Sequence, residues 1–431
     1  EPCDFIGLIY QKKQKYDEAI SFHSKALLIN ENHHDKGSME CASSDFQIAK
    51  VLLASHKYED CITRFQNHLL TYYCEGYDDN KEIAEVYHLL GLAQSKIKEY
   101  EKSVTSLNKA LSIRQKLCGK TNLKVAEMML DLGKVLGELG DSDEAIAVYD
   151  QSITIFQSLA GSDFRAVASA YCCLGDLFGK KGNCEASLHS WKKALKILSS
   201  NSGSDSIVVG EILYHIGKIY DQVGNFDKSV GCFSESVKIF RSNVGENEMI
   251  GQALGYIGRN YARKKQYAKA LELSTESLKL QKQFADAGGI AGSLVELGNI
   301  LKAWGKTDQA IQFFEEASRT YEEAFGIDAV EVANCRQNVG ILNNQLGKSE
   351  MALRYFGEAL QVYRSKEGDK SLNVANSLFE IGRIYDSFGN REKSLKCFEE
   401  ALKIREEKLG DDHLDVLAAH RFVKLISKRM Q

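Results

Sequence analysis

Gly119-Lys120-Thr121 has the ending of a phosphate-cradling loop, and it is one of the few places in this 431-residue chain where chemistry could sit. Such a loop needs a glycine five positions before Gly119, so that backbone amides can close around a phosphate. Arg114 stands there instead. Gly251, Gly255 and Gly258 resemble a nucleotide turn, but no strand pattern precedes them and they occupy positions where small residues recur along the chain. His33 and His34 with Cys41 hold metal-ligand atoms. Adjacent histidines leave a helix in different directions, and no second close pair completes a tetrahedral set. Cys172-Cys173 is adjacent rather than spaced as CxxC, which fits packing better than redox chemistry. No Ser/His/Asp or paired-carboxylate constellation converges. The expectation is a non-enzymatic chain without cofactor or metal.

The elements that carry these residues repeat. A glycine recurs at Gly7, Gly91, Gly133, Gly175, Gly217, Gly258, Gly298, Gly340 and Gly382, with Ala49 in the second slot. The interval is 42 residues, shortened only on the two sides of Gly258. A period of this size marks a solenoid, in which each unit buries its apolar face by stacking on its neighbours. Twelve residues after the anchor comes a small side chain (Ala145, Ser187, Ala310), and seven further on another (Ser152, Ala194, Ala317), with His68 the exception. Between them sits a bulky residue, as in Phe65, Trp191, Phe314 and Phe398, which Ser274 interrupts. Small columns let two helices approach so that a ridge settles in a groove. Ile381, Ile384, Tyr385 and Phe388 form one helical stripe, and Leu395, Phe398 and Leu402 a second. Glycine seven residues after the anchor, as at Gly140 and Gly389, ends the first helix of each pair.

Helix, tight turn, helix with L-G-x2-Y, then A, F and A is the tetratricopeptide signature. The segment Ser394 to Val416, SLKCFEEALKIREEKLGDDHLDV, closely resembles the 42-residue repeats of kinesin light chains and nephrocystin-3-like proteins. The resemblance covers essentially the whole chain. It implies an all-α, right-handed superhelix of about ten repeats whose first helices line a concave groove for peptides or partner domains. The expected organisation is one solenoid, 1–431, with a first repeat at 1–36 that is truncated at its amino end, repeats two to ten at 37–415, and a capping helix at 416–431. A start inside a helix, without an initiator Met, makes a fragment of a longer protein the expectation.

The residue after each anchor is basic in five of ten units: Lys50, Lys134, Lys218, Arg259 and Arg383, with Asn299 in the eighth. In the family resembled, this position faces the groove and holds acidic or carboxylate-bearing peptides. Three residues before the anchor, Tyr214 and Phe379 (with Phe46 and His88) add to the groove wall. The expected function is therefore a protein-interaction scaffold for an extended acidic partner segment. Two other readings stand beside it: a structural subunit of a large assembly, held by its outer surface and edges, and a regulatory arm of a catalytic domain elsewhere. A second-helix column runs Lys25, Lys109 and Lys193, then Glu235, Glu276, Glu316, Glu358 and Glu400, as a solvated face would.

A net charge of −4 disfavours a general nucleic-acid binder. No run of eighteen apolar residues is present, so membrane insertion is not expected. Proline occurs once, at Pro2, as continuous helices without linkers require. Eleven scattered cysteines, several in the small columns, are read as reduced thiols in a cytoplasmic or similarly reducing compartment.

Overall fold

The computed structural model describes residues 2–35, 38–74, 76, 80–159, 164–203 and 206–430, and in these it contains helices and turns without a strand. The expected boundary between the first and second repeats, at 36 and 37, lies outside the described residues. The chain comprises two compact units, Glu1–Ser204 and Asp205–Gln431.

In the first unit the order is α1 (Pro2–Lys12), α2 (Tyr16–His33), α3 (Met39–Ala54), α4 (Tyr58–Cys74) and α5 (Lys81–Lys96). It continues with α6 (Tyr100–Cys118), α7 (Leu123–Leu139), α8 (Ser142–Ser158), α9 (Phe164–Lys180) and α10 (Cys184–Ser202). The second unit begins with α11 (Ile207–Gln222), α12 (Phe226–Asn243), α13 (Glu248–Arg263), α14 (Tyr267–Phe284) and α15 (Ala287–Ala303). After α16 (Thr307–Phe325), α17 (Val330–Gln345) and α18 (Ser349–Glu367) come α19 (Leu372–Ser387) and α20 (Arg391–Leu409). The final helix, α21 (Leu414–Met430), packs on α20.

The first helices α3, α5, α7, α11, α13, α15 and α19 start at side-chain caps that answer the orphan amides of the first turn. Asn247 accepts from the Ile250 amide at 3.0 Å, and Asp286 from Gly289 at 2.8 Å. The first helix of each of the ten repeats ends at a residue with positive φ seven positions after the anchor. Gly305 takes it at 79° without steric cost, whereas Gln14, His56, Lys98 and Lys265 take it at 57–64° with a Cβ in the way.

The anchor glycine has a packing reason. At Gly298, Gly340 and Gly382, an added Cβ would come within 3.0–3.2 Å of the Phe314, Phe356 and Phe398 rings, each sixteen residues on. At Gly175 the Trp191 indole is nearer still, at 2.5 Å. The aromatic column therefore lies directly on the backbone of its partner helix, and all three phenylalanines are fully buried.

The small columns do more than leave room. Ser103, Ser187 and Ser394 donate to the carbonyls of the anchors Gly91, Gly175 and Gly382 at 2.6–2.9 Å. Seven residues later in their own units, Ser152, Ser236 and Ser277 donate to Ala126, Gly210 and Gly251 carbonyls at 2.6–2.8 Å. His68, the exception in that column, makes the same bond, Nδ1 to the Ala42 carbonyl at 2.8 Å. A helical carbonyl has a second lone pair, so these bonds tie the helix pair together without disturbing the ladder.

On the opposite side, the acidic column is a ladder of ion pairs between successive second helices. Arg241 meets Glu276 at 2.5 Å, Lys282 meets Glu316 at 3.4 Å and Arg364 meets Glu400 at 2.5 Å. All are exposed and individually weak. Among the described residues no helix is long and apolar enough to cross a membrane. No disulfide joins the eleven cysteines, and Cys41, Cys61 and Cys335 are buried.

Candidate partner-binding face

Within each unit, successive first helices touch: α5 with α7, α7 with α9, α13 with α15, and α17 with α19. Among the described residues, no two successive second helices approach comparably. The first helices are therefore the crowded side of each row, and their outward faces form one wall per unit.

The basic column lies on that wall, and most of it is already paired. Lys50 on α3 meets Glu85 on α5 at 3.8 Å, with its ammonium 5.1 Å from the Phe46 ring. Lys134 meets Asp131 at 3.2 Å, and Asp131 also binds His88 on α5 at 2.9 Å. Burial works to raise the Asp131 carboxyl, but these two partners outweigh it and hold it below its usual range. Arg383 meets Glu380 one turn earlier at 3.1 Å. Arg259 on α13 grips Glu296 on α15 through two hydrogen bonds of 2.7 and 3.1 Å. Asn299 is exposed. Lys218 differs from the other four cations: its ammonium hangs 5.8 Å from the Tyr214 ring, and no carboxylate of the described residues is within ion-pair distance.

Tyr214 and Phe379 belong to the wall as packed residues. Tyr214 is 6 % exposed, stands edge-on to Phe233 and donates its hydroxyl to Gln252 at 2.7 Å. Burial keeps its phenol well above the ordinary value, so it remains a neutral donor. Phe379 is stacked edge-on between Phe398 and Phe422, the latter from α21, while the Arg405 guanidinium lies 4.4 Å over its face.

The structure brings Tyr214, Lys218 and Arg259 together at one cavity of about 340 Å³ in the second unit. Tyr256, Ser274, Gln281, Gly292 and Glu296 line it as well. Lys50 and Lys134 lie in the first unit, and neither they nor Asn299, Arg383 or Phe379 reach this cavity. Glu296, Ser274 and Gln281 were not legible as site residues from the charge column alone. Their signal is a departure from the repeat, since Ser274 stands where the other units carry a bulky side chain.

The motifs with catalytic appearance fall elsewhere. Gly119 closes α6 with a φ of 79°, so Gly119-Lys120-Thr121 is the loop between two repeats. Gly251, Gly255 and Gly258 are interior to α13. Among the described residues no group of three His, Cys, Asp or Glu side chains could hold a metal.

Comparison with known proteins places this geometry. The tetratricopeptide-repeat signature matches residues 82–158, 166–242, 212–283, 249–323, 289–365 and 330–407, and a second signature of the same repeat matches 1–33. None of the curated proteins matches the chain in sequence. The apo form of RapI is similar in structure, with a TM-score of 0.63 at 14 % identity, over 85 % of this chain and 98 % of that one. A signal-transduction ATPase with a tetratricopeptide-repeat sensor from Pyrococcus horikoshii gives 0.56 at 16 % identity, over 82 % of this chain and 53 % of its own. A putative kinesin light chain from Podosopora anserina aligns over 46 % of this chain and 95 % of its own, with a TM-score of 0.40 at 16 % identity. At such identities the likeness is one of fold.

Proposed function

This chain belongs to the tetratricopeptide-repeat family, and from that premise we propose that it is a non-enzymatic scaffold holding an extended, acidic segment of a partner protein along its first-helix wall. The observation that carries the reading is Lys218. It is a half-buried cation without a carboxylate of its own among the described residues, beside the Arg259–Glu296 clamp. A partner carboxylate arriving there completes a pair without breaking one. At Lys50, Lys134 and Arg383 it must share the cation with an existing partner. Lys218 and Arg259 therefore anchor the segment, and the remaining basic residues supply long-range attraction and register. Asn299 offers an amide for the segment's backbone. The organisation expected from sequence, one row of repeats over 37–415 with 416–431 as its cap, is part of the same proposal.

Selection of displayed peptides on the full chain provides the test. The expected outcome is enrichment of Asp and Glu in the tightest binders. Changing Lys218→Gln and Arg259→Gln together should weaken a selected peptide by about 1–3 kcal/mol, as lost charge-assisted hydrogen bonds do. The loss should shrink at high salt, where exposed charges are screened. Binders without acidic enrichment, or a double variant that binds as before, overturn the acidic-segment reading.

A further inference from the structure

The cavity beside Lys218 exists because four positions lose their bulk in one place. The aromatic column reads Ser274, sixteen after its anchor, where the preceding and following units have Phe233 and Phe314. Three before the same anchor stands Gly255, against Tyr214 and Phe379 in other units. The next first helix then carries Gly289 and Gly292, where the following unit has Glu331 and Asn334. All four line the cavity. Close packing does not demand glycine at Gly292, since an added methyl would meet only the Tyr321 hydroxyl, at 3.8 Å. Glycine inside a helix weakens it relative to alanine, so helix stability does not explain Gly292 either.

Two residues of α14 that line this space each carry a buried polar atom without a hydrogen-bond partner: the Ser274 hydroxyl and the Gln281 Oε1. Their residues are 1 % and 2 % exposed. The Gln281 amide is fixed by its Nε2, which donates to the Glu248 carbonyl at 3.3 Å, so its oxygen remains as an unmet acceptor. Buried polar groups are otherwise satisfied in folded proteins, and orphans gathered in one cavity call for a ligand that answers them. The cavity's strongest charges, Arg259 and Glu296, already neutralise each other. Lys218, the remaining cation of the lining, is the one that the proposed segment's carboxylate answers, so the group that fills the space beside Ser274 and Gln281 is uncharged, ring-sized and a hydrogen-bond donor.

We infer that this cavity is a specificity pocket for a tyrosine side chain of the bound segment. The ring fills the volume that a phenylalanine at 274 would occupy, and the phenol donates to Gln281 Oε1. A volume of about 340 Å³ is at the small end of ligand pockets, which suits one side chain rather than a cofactor. The inference rests on the first-helix wall being the partner-binding face, and it adds what that face selects.

The probes are N-acetyl-tyrosinamide and N-acetyl-phenylalaninamide, titrated against the full chain by saturation-transfer NMR. Tyrosinamide should bind saturably and at least threefold more tightly than phenylalaninamide. Ser274→Phe restores the residue type of the repeat and should cut tyrosinamide binding at least tenfold while the melting temperature holds or rises. Gly292→Leu fills the cavity from the opposite helix and should do the same should the first variant fail to fold. Gln281→Met keeps the volume and should erase the preference for tyrosinamide. The pocket is refuted by the absence of saturable binding to the natural chain, by filled variants that bind unchanged, or by a preference that survives Gln281→Met. An acidic peptide without tyrosine, titrated against the natural chain and the Lys218/Arg259 variant, reports on the acidic wall alone, so failure of the pocket and failure of the wall are distinguishable.

Discussion

Arg259 and Glu296 join the first helices of adjacent repeats through a two-pronged contact, Nη2 to Oε1 at 2.7 Å and Nε to Oε2 at 3.1 Å. The pair is about a third and a quarter exposed, and parallel charge-assisted bonds of this kind outlast single surface pairs. A double-mutant cycle with Arg259→Gln and Glu296→Gln, read by urea unfolding, should return a coupling of about 1–2 kcal/mol after allowance for solvent screening. A coupling near zero would mean that the contact does not tie the repeats. The same cycle shows whether any loss of peptide binding in Arg259→Gln stems from the wall itself.

The two kinds of glycine should respond oppositely to alanine. At Gly298 the new Cβ presses on the Phe314 ring at 3.0–3.1 Å, which should cost about 1–3 kcal/mol by overpacking. At Gly292 the new Cβ meets only the Tyr321 hydroxyl, at an unstrained 3.8 Å, so Gly292→Ala should be neutral or stabilise by up to about 1 kcal/mol through helix propensity. Ala310→Leu, in a fully buried column, should cost about 1–3 kcal/mol. Equal effects of the two glycine changes on thermal unfolding would show that the ring does not rest on Gly298.

Lys98 and Lys265 hold φ values of 64° and 60° at the turn where other repeats use glycine. Left-handed backbone costs a side-chain-bearing residue about 1–2 kcal/mol, and glycine escapes most of this. Lys98→Gly should therefore raise stability by about 0.5–1 kcal/mol, the remainder being offset by the greater chain entropy of glycine when unfolded. A drop in melting temperature would contradict the turn geometry.

His68 should make the first unit sensitive to acid. Its Nδ1 donates to the Ala42 carbonyl, so Nε2 is the lone-pair nitrogen, and burial pushes the imidazole below its ordinary value, outweighing the Ala42 bond and the Glu82 and Asp45 charges. The unfolded chain then binds the proton more readily than the folded one. Stability is complete above about pH 6.5 and falls as pH drops below it, towards the depressed folded value. Differential scanning calorimetry of the natural chain and of His68→Ala should show a steeper decline between pH 7 and 5 in the former. Parallel slopes would remove His68 as the cause.

Thiol reactivity should follow burial. Cys74 is exposed, whereas burial raises the Cys61 and Cys335 thiols to about 12 each, leaving almost no thiolate at neutral pH. Timed alkylation followed by peptide mass spectrometry should label Cys74 first, and Cys61 and Cys335 only on unfolding. Early labelling of Cys61 would place the small-residue column at the surface.

The repeat itself was written in the sequence, because a helix pair stacked on its like must reuse the same few positions. Anchor, small and aromatic columns all mapped to buried sites, since close approach of two backbones allows little else at Gly298, Ala310 or Phe314. The final helix was expected over 416–431 and runs from Leu414 to Met430, the difference lying in end turns that periodicity does not mark. What residue type could not disclose was partnership. Lys50, Lys134, Arg259 and Arg383 look alike as a basic column, yet their carboxylates come from a neighbouring helix in two cases and from one turn earlier in the others. Lys218 alone among these five cations has no such partner within the described residues, and only side-chain placement reveals it. The cavity lies between these limits. Ser274 and the glycines were visible as departures from the repeat, but that the departures converge on one space depends on how α13, α14 and α15 pack, and packing brings together residues that the sequence keeps dozens of positions apart.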